Sequence, residues 1–404
     1  MLPTVYLIGA GPGAPDLISL RGYRCLKGAD VVIFDHLVHP DLLEVAPAGA
    51  ERIDVGSAAP EQRDQEAICY LLAEKAREGK IVARLKWGDP FLFDRGGEEA
   101  LFLHEQGVQF EVVPGVPAAI GATAYAGIPI TYHGGGDTVT FVRGHENEGR
   151  EKQKVRWESL AQLEGTVVCY VGPKQLTKML QSLVEHGRAP DEPAAIIIHG
   201  TLSTQRTITG TLQQLAGQLE DQPITEAALL IVGKVVNFRD HLRWFDSRAL
   251  FGKRALVMHS KDEPPVELSV LLGAHGADVI SDLDPDVDVY RLLLDRKIDL
   301  VAFTSAAAIL NFAANYGADQ ASDLLSHTVV ATHGEAPADA AQRAHVSPAV
   351  QVAEEESMTA FADAIAAHFK SQPQDASNGH PYSGPERQGK VQRPYSGVER
   401  RRGR

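Results

Sequence analysis

At 404 residues the chain exceeds what one hydrophobic core usually serves, so two or three domains are expected. Its 44% apolar and 23% charged residues suit a soluble globular protein, and no apolar run approaches the ~20 residues that span a bilayer. The formal net charge of −14 argues against a general nucleic-acid binder, though a locally positive cleft for a small anion remains compatible with it.

The first residues carry no basic stretch and run straight into a glycine turn, so no signal peptide is expected. Cys25, Cys69 and Cys169 lie far apart with no Cys-x-x-Cys pair. That argues against disulfides and a cysteine metal site, and fits core thiols in a reducing cytoplasm.

Up to about residue 250, short β-branched runs alternate with amphipathic stretches. Strands are expected at 4–8, 31–34, 81–85, 110–113, 138–142, 166–170, 194–198 and 228–232, with helices at 65–78, 98–105, 174–185 and 212–219. Such alternation means α/β. Pro114-Gly115 through Gly121 interrupts it, which places a junction between two halves there. A new unit opens near Phe251-Gly252-Lys253. It has expected strands at 254–259, 300–304 and 328–331 and helices at 266–275, 306–316 and 359–370, enough for one open sheet. From Ser371 the composition turns to Pro, Gly, Ser, Gln and Arg with a repeated Pro-Tyr-Ser-Gly, so a disordered basic tail is expected.

Three segments could carry chemistry. Gly9-Ala10-Gly11-Pro12-Gly13 follows an apolar strand, but lacks the spacing of the dinucleotide fingerprint and the Gly-Lys-Ser/Thr of a phosphate loop. A structural turn and a ligand loop are both open for it. Arg84 to Phe91, then Asp94 to Glu99, places a Gly-Asp-Pro turn and a Gly-Gly turn at a strand end, where open α/β sheets bind ligands. Val113-Pro114-Gly115-Val116-Pro117-Ala118-Ala119 offers small residues against which a flat ligand, or simply a crossover, could lie.

Taken in order, VYLIGAGPGAPDLISLRG, ADVVIFDHLV, GKIVARLKWGDPFLFDRGGEE, FEVVPGV, AYAGIPIT, HGTLSTQRTITGTL and LLIVGKVVNFRDHLRWF resemble the tetrapyrrole methylase family, specifically its uroporphyrinogen-III C-methyltransferases. The resemblance implies two α/β lobes, and the smaller open-sheet α/β domain and the tail read above follow them. The expected boundaries are 1–115, 116–249, 250–370 and 371–404.

It further implies a cytoplasmic homodimer that binds S-adenosylmethionine between its lobes and methylates uroporphyrinogen III to precorrin-2 for siroheme or cobalamin synthesis. Cofactor contacts would fall on Pro12, Trp87, Gly88, Asp89, Leu92, Pro117, Ala118, Val171 and Gly200. Asp35 would be the proton acceptor, and Arg84, Lys86, Arg95 and His133, with Arg143 and His145, would meet substrate carboxylates at the cleft mouth.

The departures from the family pattern cluster at this site. Ser57 stands where the family has a proton-donor lysine, and Trp87 puts an indole where a glycine is usual. Pro117-Ala118 lacks the usual hydroxyl, His133 replaces an arginine, and Val171 replaces a methionine. An active methylase and a catalytically degenerate binder acting as a pathway scaffold are both compatible with that pattern. Segments 252–257, 272–280 and 299–305 resemble uroporphyrinogen-III synthase with its inserted domain missing, which implies no ring-closing activity.

Overall fold

The computed structural model describes residues 4–56, 65–133, 138–144, 156–172, 175–258, 266–282 and 287–371. Ser57, His145 and the tail after Ser371 lie outside the described residues. The chain divides into one compact unit ending at Arg243 and a second beginning at Trp244.

The first unit opens with a sheet of β1 (Val5–Gly9), β2 (Val31–Phe34), β3 (Glu51–Asp54), β4 (Val82–Lys86) and β5 (Phe110–Val113). The strands lie in the order β3-β2-β4-β1-β5 and all pair in parallel. Helices α1 (Leu20–Lys27), α2 (Gln65–Arg77) and α3 (Gly96–Glu105) connect them. Every strand therefore ends on one edge, and the order reverses between β4 and β1, which is where such sheets leave a crevice.

Strand parity divides the core. Val82 on β4 joins Leu71, Leu72 and Leu103 from α2 and α3. Its neighbours Ala83 and Leu85 join Leu26 of α1 on the opposite face.

After α4 (Ala118–Tyr125) comes a second sheet of β6 (Val139–Arg143), β7 (Thr166–Val171), β8 (Pro193–Ile198), β9 (Arg206–Thr211) and β10 (Ala228–Val232). Its order is β6-β7-β10-β8-β9, parallel only between β6 and β7. Helices α5 (Trp157–Ala161), α6 (Leu176–Glu185) and α7 (Leu212–Asp221) accompany these strands, and α8 (Arg239–Leu242) follows them. Thr211 caps α7 through a reciprocal hydrogen-bonded box with Gln214. One face of this sheet buries Val167, Cys169 and Val171 with Leu176 and Met179 of α6. The other packs Val168 and Tyr170 against Ala118, Ala119 and Ala122 of α4.

The second unit holds one parallel sheet, β12-β11-β13-β14-β15. Its strands are β11 (Arg254–Met258), β12 (Asp278–Ser281), β13 (Leu300–Phe303), β14 (Val329–His333) and β15 (Val350–Val352). They are flanked by α9 (Val266–Ala274), α10 (Val289–Leu294), α11 (Ala306–Tyr316), α12 (Ala318–Leu325), α13 (Glu335–Arg343) and α14 (Met358–Ser371).

The α/β expectation holds throughout. The four strands that sequence patterning did not supply, β3, β9, β12 and β15, all sit on sheet edges. Helix α4, read from sequence only as an interruption, is a helix of small residues. Cys69 and Cys169 are buried and Cys25 is half-buried, all three as free thiols, and burial pushes the Cys169 thiol up to about 12. Among the described residues no helix is long and apolar enough to cross a membrane.

Candidate active site

The loops leaving β1, β4 and β5 meet at the crevice through backbone contacts that exclude side chains. Ala10 N donates to Lys86 O at 2.8 Å, and Gly11 and Gly88 exchange N–H···O bonds of 3.2 and 2.8 Å. A Cβ on Gly115 would stand 2.2 Å from Gly88 O and 2.7 Å from Gly9 Cα, so only glycine allows the three loops to close. Gly88 takes φ +69°, and beside it the nearest atoms to an added Cβ are Pro117 Cα and Ala118 N at 4.0 Å. That leaves room for a flat group against the backbone. Asp89 braces the arrangement. Its Oδ1 accepts from Phe91 N at 2.8 Å and its Oδ2 from Gly115 N at 3.0 Å.

From the other sheet, the turn after β8 closes on the glycine loop. Ala14 N donates to Thr201 Oγ1 at 2.9 Å, and a Cβ on Gly13 would meet Gly200 O at 2.8 Å. Thr201 holds φ +73°, costly for a β-branched residue, and its N–H is satisfied by Gln205 Oε1 at 2.8 Å. Pro12 lies against Gly121 of α4, where an added Cβ would come within 2.5 Å of its Cγ. The Tyr170 hydroxyl accepts from Ala119 N at 3.1 Å, and its ring meets Phe93 edge-on at 5.2 Å.

Behind β2 and β4 lies a buried charge network. Arg84 Nη2 reaches Asp35 Oδ1 at 2.6 Å, and Arg84 Nε reaches Glu99 Oε1 at 3.2 Å. Lys86 Nζ lies 3.0 Å from Glu99 Oε1 and 3.1 Å from Asp94 Oδ1. Burial alone would raise the Asp35 pKa. The Arg84 and Lys86 charges, with hydrogen bonds from Arg84 and the Trp87 backbone, overcome it and hold the carboxyl below its usual range. Burial likewise works against Glu99, and the same two cations hold its carboxyl low. At Asp94 burial prevails and the pKa is raised, with Lys86 opposing it.

The structure thus gathers Pro12, Trp87, Gly88, Asp89, Pro117, Ala118 and Gly200 around the crevice, with half-buried Leu92 in the same loop. Trp87 packs its half-buried ring on the α4 cluster.

One expected placement differs in the structure. Arg84 and Lys86 are not at a cleft mouth. Both are 1% exposed, because even-numbered β4 residues face α2 and α3 on a central strand. The Val171 side chain points into the α6 core, opposite to Tyr170, so only its backbone remains for a ligand. Arg95 is paired with Glu98 one helical turn on, and His133 is exposed. Glu99, Tyr170, Phe93 and Thr201 were not singled out from sequence. The buried parity of a central strand could have pointed to a counter-charge such as Glu99.

Against known proteins, the pattern of the tetrapyrrole (corrin/porphyrin) methylases matches residues 4–216, over half of the 404-residue chain. An S-adenosyl-L-methionine-dependent uroporphyrinogen III methyltransferase of Methanosarcina barkeri is 44% identical over 239 residues, covering 59% of this chain and 94% of that protein. A siroheme synthase of Chromobacterium violaceum is 47% identical over 242 residues, 60% of this chain, and this chain spans only about half (51%) of that protein's length. The uroporphyrin-III C-methyltransferase of Thermus thermophilus, solved with S-adenosylhomocysteine, superposes with TM-score 0.50 at 36% identity over 58% of this chain and 98% of its own. With that pattern covering the whole first sheet and β6 to β9 of the second, the chain belongs to the tetrapyrrole methylase family.

Proposed function

We propose that the chain methylates uroporphyrinogen III with S-adenosylmethionine, giving precorrin-2 on the way to siroheme or cobalamin, and works as a cytoplasmic homodimer. The observation that carries the reading is the glycine-only closure of Gly9, Gly88 and Gly115, with an open side toward Pro117–Ala118.

These residues fit the cofactor. A left-handed Gly88 exposes its backbone to a flat group, Trp87 and α4 supply an apolar wall, and Pro12 and Gly200 border the same space. S-adenosylmethionine, when bound, supplies a methyl group on an electrophilic sulfonium. The loops would hold donor and acceptor carbon close together, which supplies much of the acceleration in such a transfer.

Transfer of that methyl to a pyrrole carbon would leave the ring cationic and the sulfur neutral, so a proton would have to depart. Asp35 takes it. A carboxylate held below its usual range is a weak base, but it is ionised at every working pH and the proton of a cationic ring is acidic. Arg84 and Lys86 serve Asp35 rather than the substrate, since both are buried.

We propose the boundaries 1–115 and 116–249 for the two lobes and 250–370 for a shortened synthase-like domain. Support comes from the residues between β12 and β13, 282–299, which leave no room for an inserted domain. That unit would not close the tetrapyrrole ring.

The test is incubation with methyl-labelled S-adenosylmethionine and uroporphyrinogen III, with mass spectrometry of the tetrapyrrole. A product heavier by two methyl groups is expected. Bound cofactor without transfer would refute the enzymatic reading and leave a binding protein.

A further inference from the structure

We propose that Glu99 is a positioning residue for methyl transfer, orienting Arg84 so that Asp35 is held in place to take the proton. This rests on the function proposed above.

Glu99 is 0% exposed and cannot touch a ligand. Three donors converge on its Oε1: Arg84 Nε at 3.2 Å, Lys86 Nζ at 3.0 Å and Gln65 Nε2 at 3.0 Å. Arg84 Nη1 is taken up by the carbonyls of Ile33 and Leu85 at 3.4 and 3.3 Å, and Nη2 by Asp35. The guanidinium is planar, so pinning Nε at Glu99 sets the direction in which Nη2 meets Asp35.

Glu99 also separates two like charges that β4 places on the same face, two residues apart. The helix that carries it is fixed to the site loop, because α3 begins at Gly96, where an added Cβ would meet Pro90 O at 2.3 Å. The charged or titratable groups facing this carboxylate are Arg84 and Lys86 of β4 and Cys69 of α2, with Asp35 and Asp94 one step further through those cations.

The experiment is a double-mutant cycle on the full chain, read as single-turnover label transfer with S-adenosylhomocysteine affinity measured alongside. Glu99→Gln in the wild-type background is expected to lower the transfer rate about 100-fold, the cost of a misplaced catalytic group, with cofactor-product affinity unchanged. In an Asp35→Asn background the same change is expected to cost nothing further, because its only route to the reaction is gone. Glu99→Asp, which keeps the charge, is expected to recover part of the rate.

An equal loss in both backgrounds, or no loss in either, overturns the inference while leaving methyl transfer intact. A wild-type chain that transfers no methyl overturns the inference together with the proposed function. Should Glu99→Gln not fold, Gln65→Leu removes one neutral donor to the same oxygen. It is expected to show a smaller rate loss with the same dependence on Asp35, and its absence overturns the inference equally.

Discussion

Replacing Arg84 by methionine tests the charge network directly. The substitution keeps an unbranched stem reaching about as far as the Nε position and removes the guanidinium that serves Asp35 at 2.6 Å and Glu99 at 3.2 Å. Breaking a buried pair by deleting one partner typically costs ~3–5 kcal/mol. The lower end applies here. Glu99 keeps Lys86 and Gln65, and the Asp35 side chain is 29% exposed and can recruit water. About 3 kcal/mol is therefore expected near neutral pH.

The pH dependence follows from the directions of the shifts. In the wild type the Asp35 carboxyl is held low, so its contribution is complete above the unfolded value of ~3.9 and disappears only as pH falls through the folded value. Without Arg84, burial dominates and the carboxyl moves up. The mutant then gains relative stability as it protonates, and the gap should narrow as pH falls from about 7 toward about 4. Urea unfolding read by hydrogen exchange on β2 and β4 separates this unit from the second. A gap under about 1 kcal/mol, or one that stays constant with pH, would refute the reasoning.

Three further outcomes are expected. Gly115→Ala places a methyl 2.2 Å from the Gly88 carbonyl oxygen, and since backbone must give way it should cost about 3 kcal/mol in urea unfolding and abolish S-adenosylhomocysteine binding by titration calorimetry. Gly217→Ala, at an exposed site inside α7 with nothing within 4 Å, should instead stabilise by about 0.5–1 kcal/mol in the same unfolding assay. Hydroxymethylbilane incubated with the full chain should yield no type III isomer by chromatography, since the second unit holds only one sheet among the described residues.

The interior of each sheet was legible because β-branched runs such as Val31–Phe34 and Ala228–Val232 admit few other readings. Four of the six edge strands were not. Glu51–Asp54 and Arg206–Thr211 carry polar residues suited to a solvent-facing edge, which no window for continuous apolarity detects. Helix α4 was hidden for another reason. Its residues are chosen for close approach to Pro12 and the Gly200 turn, so they show no amphipathic stripe.

At the candidate site, the glycine loops could be read from order along the chain, and Asp35 was reached only through the family resemblance. Glu99 and Thr201 could not, because what singles them out is a burial state and a backbone angle that exist only after folding. The same limit misplaced Arg84 and Lys86: a cation near a ligand loop reads as a substrate contact until the strand is known to be central and covered on both faces.

A crystal structure of this chain with S-adenosylhomocysteine tests the proposed cofactor site most directly. The ligand is expected against Gly88, bordered by Trp87, Pro12 and Pro117–Ala118, with its sulfur turned toward the Asp35 side of the crevice. A ligand bound away from Gly88, or a fully closed Gly88–Pro117 gap in a complex that still transfers methyl groups, would contradict it.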